Sequence, residues 1–410
     1  MSSSSEIAWQ LMEFHDYLSL SSSEKKIRKH VTPKQWQLDR CPRLRSLVSE
    51  TLENKGDMLH KAVWDDALEE VKNIFSHGVT VDCQNTMGWS PLHSAACRGN
   101  LPLVKYLLQK GATLNFRDFC NYTPLHRAAW NGHGQTVEYL LQSGAHPDLL
   151  NYSGESPLHL AAGNGHVHTV RLLLKYKAQV DIKDSNKWTP LHWSMLQGCT
   201  NMAELLLSNA ASAEAKTNTG MVPLHLSVLS ENHQVTEYLL QRKVNVDAKE
   251  NNDRTALHIA AKNGDIQMLQ ILLEGGATVQ TLDKDLLTPL HLAARNGSPG
   301  SVRLLLQHGA SVDDRDLLYM TPLHHAAFRG NAETAMALIQ GDADVNARDW
   351  IGKTPSHIAA ERDHCEVIRA LIENGANVME KTKWGETLLE TASARSDATI
   401  VNLLNEYRSV

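Results

Sequence analysis

The sequence predicts an all-α repeat solenoid, and three observations lead there. A four-residue anchor of the form Thr-Pro-Leu-His returns every 33 residues. Helix-start chemistry sits at each anchor, and a Leu-Leu pair follows at a fixed distance. The anchors begin at Ser90, Thr123, Ser156, Thr189, Val222, Thr255, Thr288, Thr321 and Thr354, with degenerate copies at Asp57 and Thr387. Eleven units therefore share one register without insertion or deletion. A constant period of this length marks an array in which each unit buries its surface against its neighbours.

Within a unit the elements follow in order. Thr or Ser at the anchor is a helix N-cap, because its hydroxyl accepts from backbone N–H groups that lack an intrahelical partner. Proline comes next, at the first helical position, where its missing N–H costs nothing. Leucine then turns inward, followed by histidine and two small residues such as Ala128-Ala129 that let helices approach closely. A glycine such as Gly132 ends the first helix in a left-handed conformation. The second helix carries the Leu-Leu pair, for example 107/108, 140/141 and 305/306, and Gly-Ala often closes it. A polar stretch with Asp or Asn leads to the next cap as a hairpin-like turn. Two units depart from this pattern. Val222 cannot cap and Glu231 stands in its unit's glycine slot. Ser356 and Asp363 replace the leucine and glycine of the unit at 354. Both units should be softer than their neighbours, the second the more so. The unit at 387, with Glu386, Glu390, Arg395 and Ser396, has the polar character of a terminal cap.

The domain reading is an N-terminal helical extension at 1–53 and a repeat domain at 54–410. Residues 6–20 and 33–53 each suggest a helix, separated by a polar basic linker. These helices are expected to cap the first repeat. Lys25-Lys26-Ile27-Arg28 also fits a minimal nuclear import signal.

Charge and composition narrow the function classes. The formal net charge is −6, and residues beyond 56 hold 31 Lys/Arg against 39 Asp/Glu. An acidic body argues against direct nucleic-acid binding, which needs clustered positive charge. No apolar run approaches a membrane span, and the N-terminus lacks the basic start of a signal peptide. Six scattered cysteines without a C-x-x-C pair fit reduced thiols. The expected location is therefore the cytoplasm, with nuclear entry through the Lys25 motif as the variant reading. Twenty-one histidines could suggest metal, but those of the anchor recur once per unit and cannot converge on one ion. No metal or cofactor is expected. Asp363-His364-Cys365 resembles part of the Asp-His-His-Cys box of protein acyltransferases, but lacks one histidine and that family's cysteine-rich surround. With no phosphate loop, nucleophile elbow or catalytic carboxylate pair, the chain reads as a non-enzyme.

The anchor, the Ala-Ala pair, the helix-ending glycine, the Leu-Leu pair and the Gly-Ala together resemble the ankyrin repeat family over roughly residues 54–410. The resemblance implies stacked helix–turn–helix layers with projecting finger loops, the first helices and fingers lining a concave face. It implies that the anchor histidines make structural hydrogen bonds. It also implies candidate sites for an asparaginyl hydroxylase that favours a leucine eight residues upstream, namely Asn346 after Leu338 and Asn115 after Leu107.

Subtracting the stacking residues leaves two groups rich in aromatics, Met and Arg, the types enriched at interface hot spots. Trp89, Arg98, Tyr122, Arg127, Trp130, Tyr152, Trp188, Trp193 and Leu196 form the first. Tyr319, Met320, His325, Phe328, Arg329 and Trp350 form the second. Trp130 in particular is not needed to stack a repeat. The expected function is a monomeric, non-catalytic adaptor or scaffold that binds a protein or peptide on its fingertips and concave face. The alternatives are a substrate adaptor of a ubiquitin ligase and an inhibitor of a transcription factor.

Overall fold

A computed structural model describes residues 55–393 and 400–404. The expected N-terminal helices, the Lys25 motif, Arg395 and Ser396 lie outside the described residues. The chain divides into two compact units, at Asn218/Thr219, where the sequence suggests one repeat domain.

The first unit contains α1 (Lys55–Trp64), α2 (Leu68–Ser76), α3 (Pro91–Arg98), α4 (Leu101–Gln109), α5 (Pro124–Trp130), α6 (Gly134–Gln142), α7 (Pro157–Gly163), α8 (Val167–Lys175), α9 (Pro190–Met195) and α10 (Thr200–Ser208). The second contains α11 (Pro223–Leu229), α12 (His233–Gln241), α13 (Ala256–Asn263), α14 (Ile266–Glu274), α15 (Pro289–Asn296), α16 (Pro299–Gln307), α17 (Pro322–Arg329), α18 (Ala332–Ile339), α19 (Pro355–Glu361), α20 (Cys365–Glu373) and α21 (Leu388–Ser393). No strand occurs among the described residues, only a single bridge between Lys381 and Thr387. Within each unit the odd-numbered helices pack on one another in sequence, and the even-numbered ones form a second row.

The anchor chemistry explains each first helix. At Thr123 the side chain accepts from the His126 N–H, and the Thr123 N–H donates to His126 Nδ1 at 3.1 Å. The other ring nitrogen, Nε2, donates to the Glu155 carbonyl of the next repeat at 3.1 Å. The same bond, always to the residue 29 positions on, joins His93 to Tyr122, His159 to Trp188, His258 to Leu287, His291 to Met320 and His324 to Lys353. Because Nδ1 receives a backbone N–H, each imidazole is neutral with its proton on Nε2. One side chain thus caps its own helix and fastens the following finger. Burial holds the pKa of His93 and His126 at about 3 and of His159, His291 and His324 at about 4.

The inward leucines Leu92, Leu125, Leu158 and Leu191 and the Ala-Ala pairs are buried. In the Leu-Leu pair the first member, such as Leu107, Leu140 or Leu305, is fully buried. Glycine at the end of α3 is required twice over. Gly99 has φ 72°, and a Cβ there would lie 2.4 Å from Nδ1 of His133. That histidine reaches back to donate to the Cys97 carbonyl at 2.9 Å, as His166 does to Trp130.

The fingers are closed by one side chain each. Asp118 accepts from the Cys120 and Tyr122 N–H groups, both at 2.9 Å, while its own N–H donates to the Tyr122 carbonyl. Successive tips are then sewn together through backbone bonds. Tyr152 N–H donates to Cys120 O and Ser185 N–H to Ser153 O in the first unit. Leu317 to Asp285, Trp350 to Leu318 and Lys383 to Ile351 continue the pattern in the second.

Candidate protein-binding surface

The residues singled out in the sequence separate into three groups. Five are buried: Trp89, Arg127, Trp193, Leu196 and His325. This corrects their assignment to a partner surface, and the reason is a clasp that recurs in register. Arg127, Trp193 and His325 occupy the same position of their first helices, nine residues after a finger aspartate. Each reaches back to the second carboxylate oxygen of its own finger. Arg127 pairs with Asp118 Oδ2, Trp193 Nε1 donates to Asp184 Oδ2 at 3.1 Å, and His325 Nε2 meets Asp316 Oδ2 at 2.9 Å.

Each clasp is filled out by neighbours. The Arg127 guanidinium lies 4.4 Å from the Trp89 ring centre and 4.1 Å from that of Tyr122, so an otherwise costly buried cation has a carboxylate and two aromatic faces. Trp193 stands edge-on to Trp188 and His159, with Leu196 beside it. It lies across Gly163 of the preceding helix, where an added Cβ would come within 2.5 Å of the ring. Burial raises the pKa of Asp184 to about 6. Asp316 instead titrates below the usual carboxylate range: burial raises it, but hydrogen bonds from His325 and the Met320 N–H outweigh that cost.

A second group is half-buried: Tyr122, Trp130, Trp188, Met320 and Phe328. Tyr122 donates its hydroxyl to Glu155 at 3.2 Å. Phe328 carries the Arg362 guanidinium 3.9 Å from its ring centre.

The third group is exposed: Arg98, Tyr152, Tyr319, Arg329 and Trp350. Leu317, Leu318 and Trp384 join it at the fingertips. Two aromatic or apolar tips occupy a special backbone position. The residue two before each cap adopts positive φ throughout, and glycine fills it at 88, 154, 220, 352 and 385. Asn121, Lys187 and Asp253 hold it in three other fingers, and Leu286 and Tyr319 in the remaining two, with φ 57° and 59°. A bulky side chain there is strained by about 1 kcal/mol. Neither side chain recovers that cost by burial, since Leu286 is 39% and Tyr319 57% exposed. Their sequence signal was a bulky apolar residue at a position that carries glycine, Asn, Asp or Lys in the other fingers.

Asn115 and Asn346 sit at finger bases. Each accepts through Oδ1 from a backbone N–H of the next repeat, His146 at 3.2 Å and Asn377 at 2.8 Å. Among the described residues no cluster of three or more His, Cys, Asp or Glu could hold a metal ion. No described helix is long and apolar enough to cross a membrane.

A sequence model of ankyrin repeats, three copies in length, matches residues 59–151, 143–219, 224–316, 265–349 and 315–382. The chain belongs to the ankyrin repeat family. Comparison with curated proteins finds no match. Ankyrin repeats mediate protein–protein interactions and are generally non-enzymatic. The anchor histidines, finger aspartates and helix-ending glycines described above are the ankyrin stacking apparatus of this chain.

Proposed function

We propose that this ankyrin protein is a non-catalytic adaptor whose fingertips hold a partner protein. The observation that carries the reading is the pair Leu286 and Tyr319. The left-handed backbone favours glycine or a polar residue, as the other fingers supply, whereas here the chain supplies large apolar side chains that face outward. Strain kept at an exposed position is expected where it serves binding. Leu317, Leu318 and Trp350 extend the same apolar surface along neighbouring tips, and exposed apolar patches of this kind mark interaction sites. Tyr152, Trp130 and Arg98 form the corresponding candidate surface of the first unit.

The test is Tyr319→Gly in the full chain. It should raise the thermal stability, by about 1 kcal/mol, and weaken capture of the partners recovered with the wild type by crosslinking mass spectrometry. Loss of stability with full partner recovery would defeat the reading. For the first unit, Trp130→Ala with Tyr152→Ala should lower partner recovery without altering the melting temperature.

The working state is a monomer in the cytoplasm. The thiols of Cys83, Cys97, Cys199 and Cys365, none in a disulfide, support a reducing compartment, and imaging of a tagged chain checks it. Asn346 is a candidate for β-hydroxylation, which peptide mass spectrometry would register as one added oxygen.

A further inference from the structure

The ends of the first helices in the second unit carry a row of cations. Lys262 and Arg295 lie in the last turns of α13 and α15, at the same register, and Arg329 ends α17 one position further on. These helices pack side by side. Lys262 is half-buried, while Arg295 and Arg329 are exposed. Arg329 Nε donates to the backbone carbonyl of Arg295 at 3.1 Å, which lays its side chain across the end of the adjacent layer. Among the described residues no carboxylate lies within salt-bridge distance of any of the three. Two acids of these layers are engaged elsewhere, Asp265 by His233 and Glu361 by Lys353.

Helix capping accounts for the row only at Arg329. Cations near a helix C-terminus complement its dipole, and Arg329 meets the Arg295 carbonyl in this way, but the carbonyls one turn earlier have partners of their own. The Gly264, Gly297 and Gly330 N–H groups donate to the carbonyls of Ala260/Ala261, Ala293/Ala294 and Ala326/Ala327. Helices α7 and α11 end with no basic residue in the last turn. In the first unit the position of Lys262 and Arg295 is held by Cys97, Trp130, Gly163 and Leu196. Burial, together with the charges of Arg254 and Arg295, pushes the Lys262 pKa down.

We propose that the row Lys262–Arg295–Arg329 binds an acidic, extended segment of a partner protein through its carboxylates. The repeat geometry sets the spacing. Packed helices stand about 8–10 Å apart, and a polyproline-II chain advances about 3.1 Å per residue with three residues per turn, so every third side chain lies on one face. Acidic side chains three residues apart therefore meet cations on successive layers. This inference rests on the protein-binding reading above and adds the partner's charge and spacing.

The experiment uses the full chain and a fluorescent peptide of about 12 residues, long enough to span about 40 Å, with glutamate at every third position. Fluorescence anisotropy should show binding that weakens with added salt. It should fall roughly tenfold in the Lys262→Gln/Arg295→Gln/Arg329→Gln variant. A glutamine version of the peptide should bind wild type and variant equally weakly. An unchanged melting temperature confirms the variant's fold. Equal affinity of wild type and variant for the glutamate peptide, equal affinity of wild type for the two peptides, or preference for a single-stranded oligonucleotide would each overturn the proposal. Tyr319→Gly leaves the charge row intact and should keep the peptide preference. If the peptide fails while Tyr319→Gly still loses cellular partners, the charge row falls and the fingertip reading stands.

Discussion

The anchor histidines His93, His126, His159, His291 and His324 each accept a backbone N–H at Nδ1 and donate from Nε2, so protonating them would set two N–H groups against each other. That geometry fixes the sign of the pH dependence. The folded pKa values, about 3 to 4 for His93, His126, His159, His291 and His324, lie below the unfolded value of 6.5. Their contribution is whole above pH 6.5 and is lost as pH falls toward the folded values. Asp184, raised to about 6, acts in the opposite sense over part of that window, but with one proton against five. Melting temperature should drop steadily from about pH 7 to about pH 5, with a loss on the order of several kcal/mol. A flat profile would mean that these imidazoles are not buried and neutral. The clasps give a second test. Asp118→Ala strands a buried guanidinium and should cost about 3–5 kcal/mol, whereas Arg127→Met should cost less. Denaturant titration orders the two.

The sequence made the anchors legible because they recur, and the clasps illegible because they do not. Removing the repeated residues leaves Trp193 and Tyr152 looking alike, yet one closes its own finger and the other faces outward. The distinguishing signal is the aspartate nine residues upstream, present at Asp118, Asp184 and Asp316. Leu160 and Leu292 hold the same helix position as Trp193, without a polar group to offer a carboxylate. Tyr319 was legible as a tip, but its strain became visible only with a φ value.

At the level of the element, the weak repeats have structural causes. In the repeat at 354, the buried Ser356 hydroxyl has no partner, and His357 Nε2 falls short of a hydrogen bond to the Glu386 carbonyl. Asp363 takes φ 59° where Gly99 and Gly330 stand in other repeats. In the repeat at 222, valine keeps the backbone bond to His225 at 3.1 Å but has no hydroxyl to add. His225 reaches the Arg254 carbonyl at only 3.3 Å. Amides of 354–372 should exchange faster than those of 288–306, and the reverse order would refute the assignment. Asp363→Gly should relieve strain and raise stability by up to about 1 kcal/mol, read as a higher denaturation midpoint.

Over the whole molecule, two kinds of residue divide the labour. Periodic residues stack the layers, while aperiodic ones either clasp a finger or face solvent. The outward set differs between the units: mainly aromatic and neutral helix ends with the single cation Arg98 in the first, a row of cations and strained apolar tips in the second. The family and the repeat register could be read from the sequence because stacking requires the same chemistry at every period. The binding surface could be read only in part, since a side chain's exposure depends on neighbours 33 residues away. Hydrogen exchange of the chain, free and in complex with a partner recovered by crosslinking, tests the division most directly. Slower exchange at 317–320 and 350–352, with 299–307 and 332–339 unchanged, is the expected result. Protection confined to those second helices, leaving the tips unaltered, would contradict it.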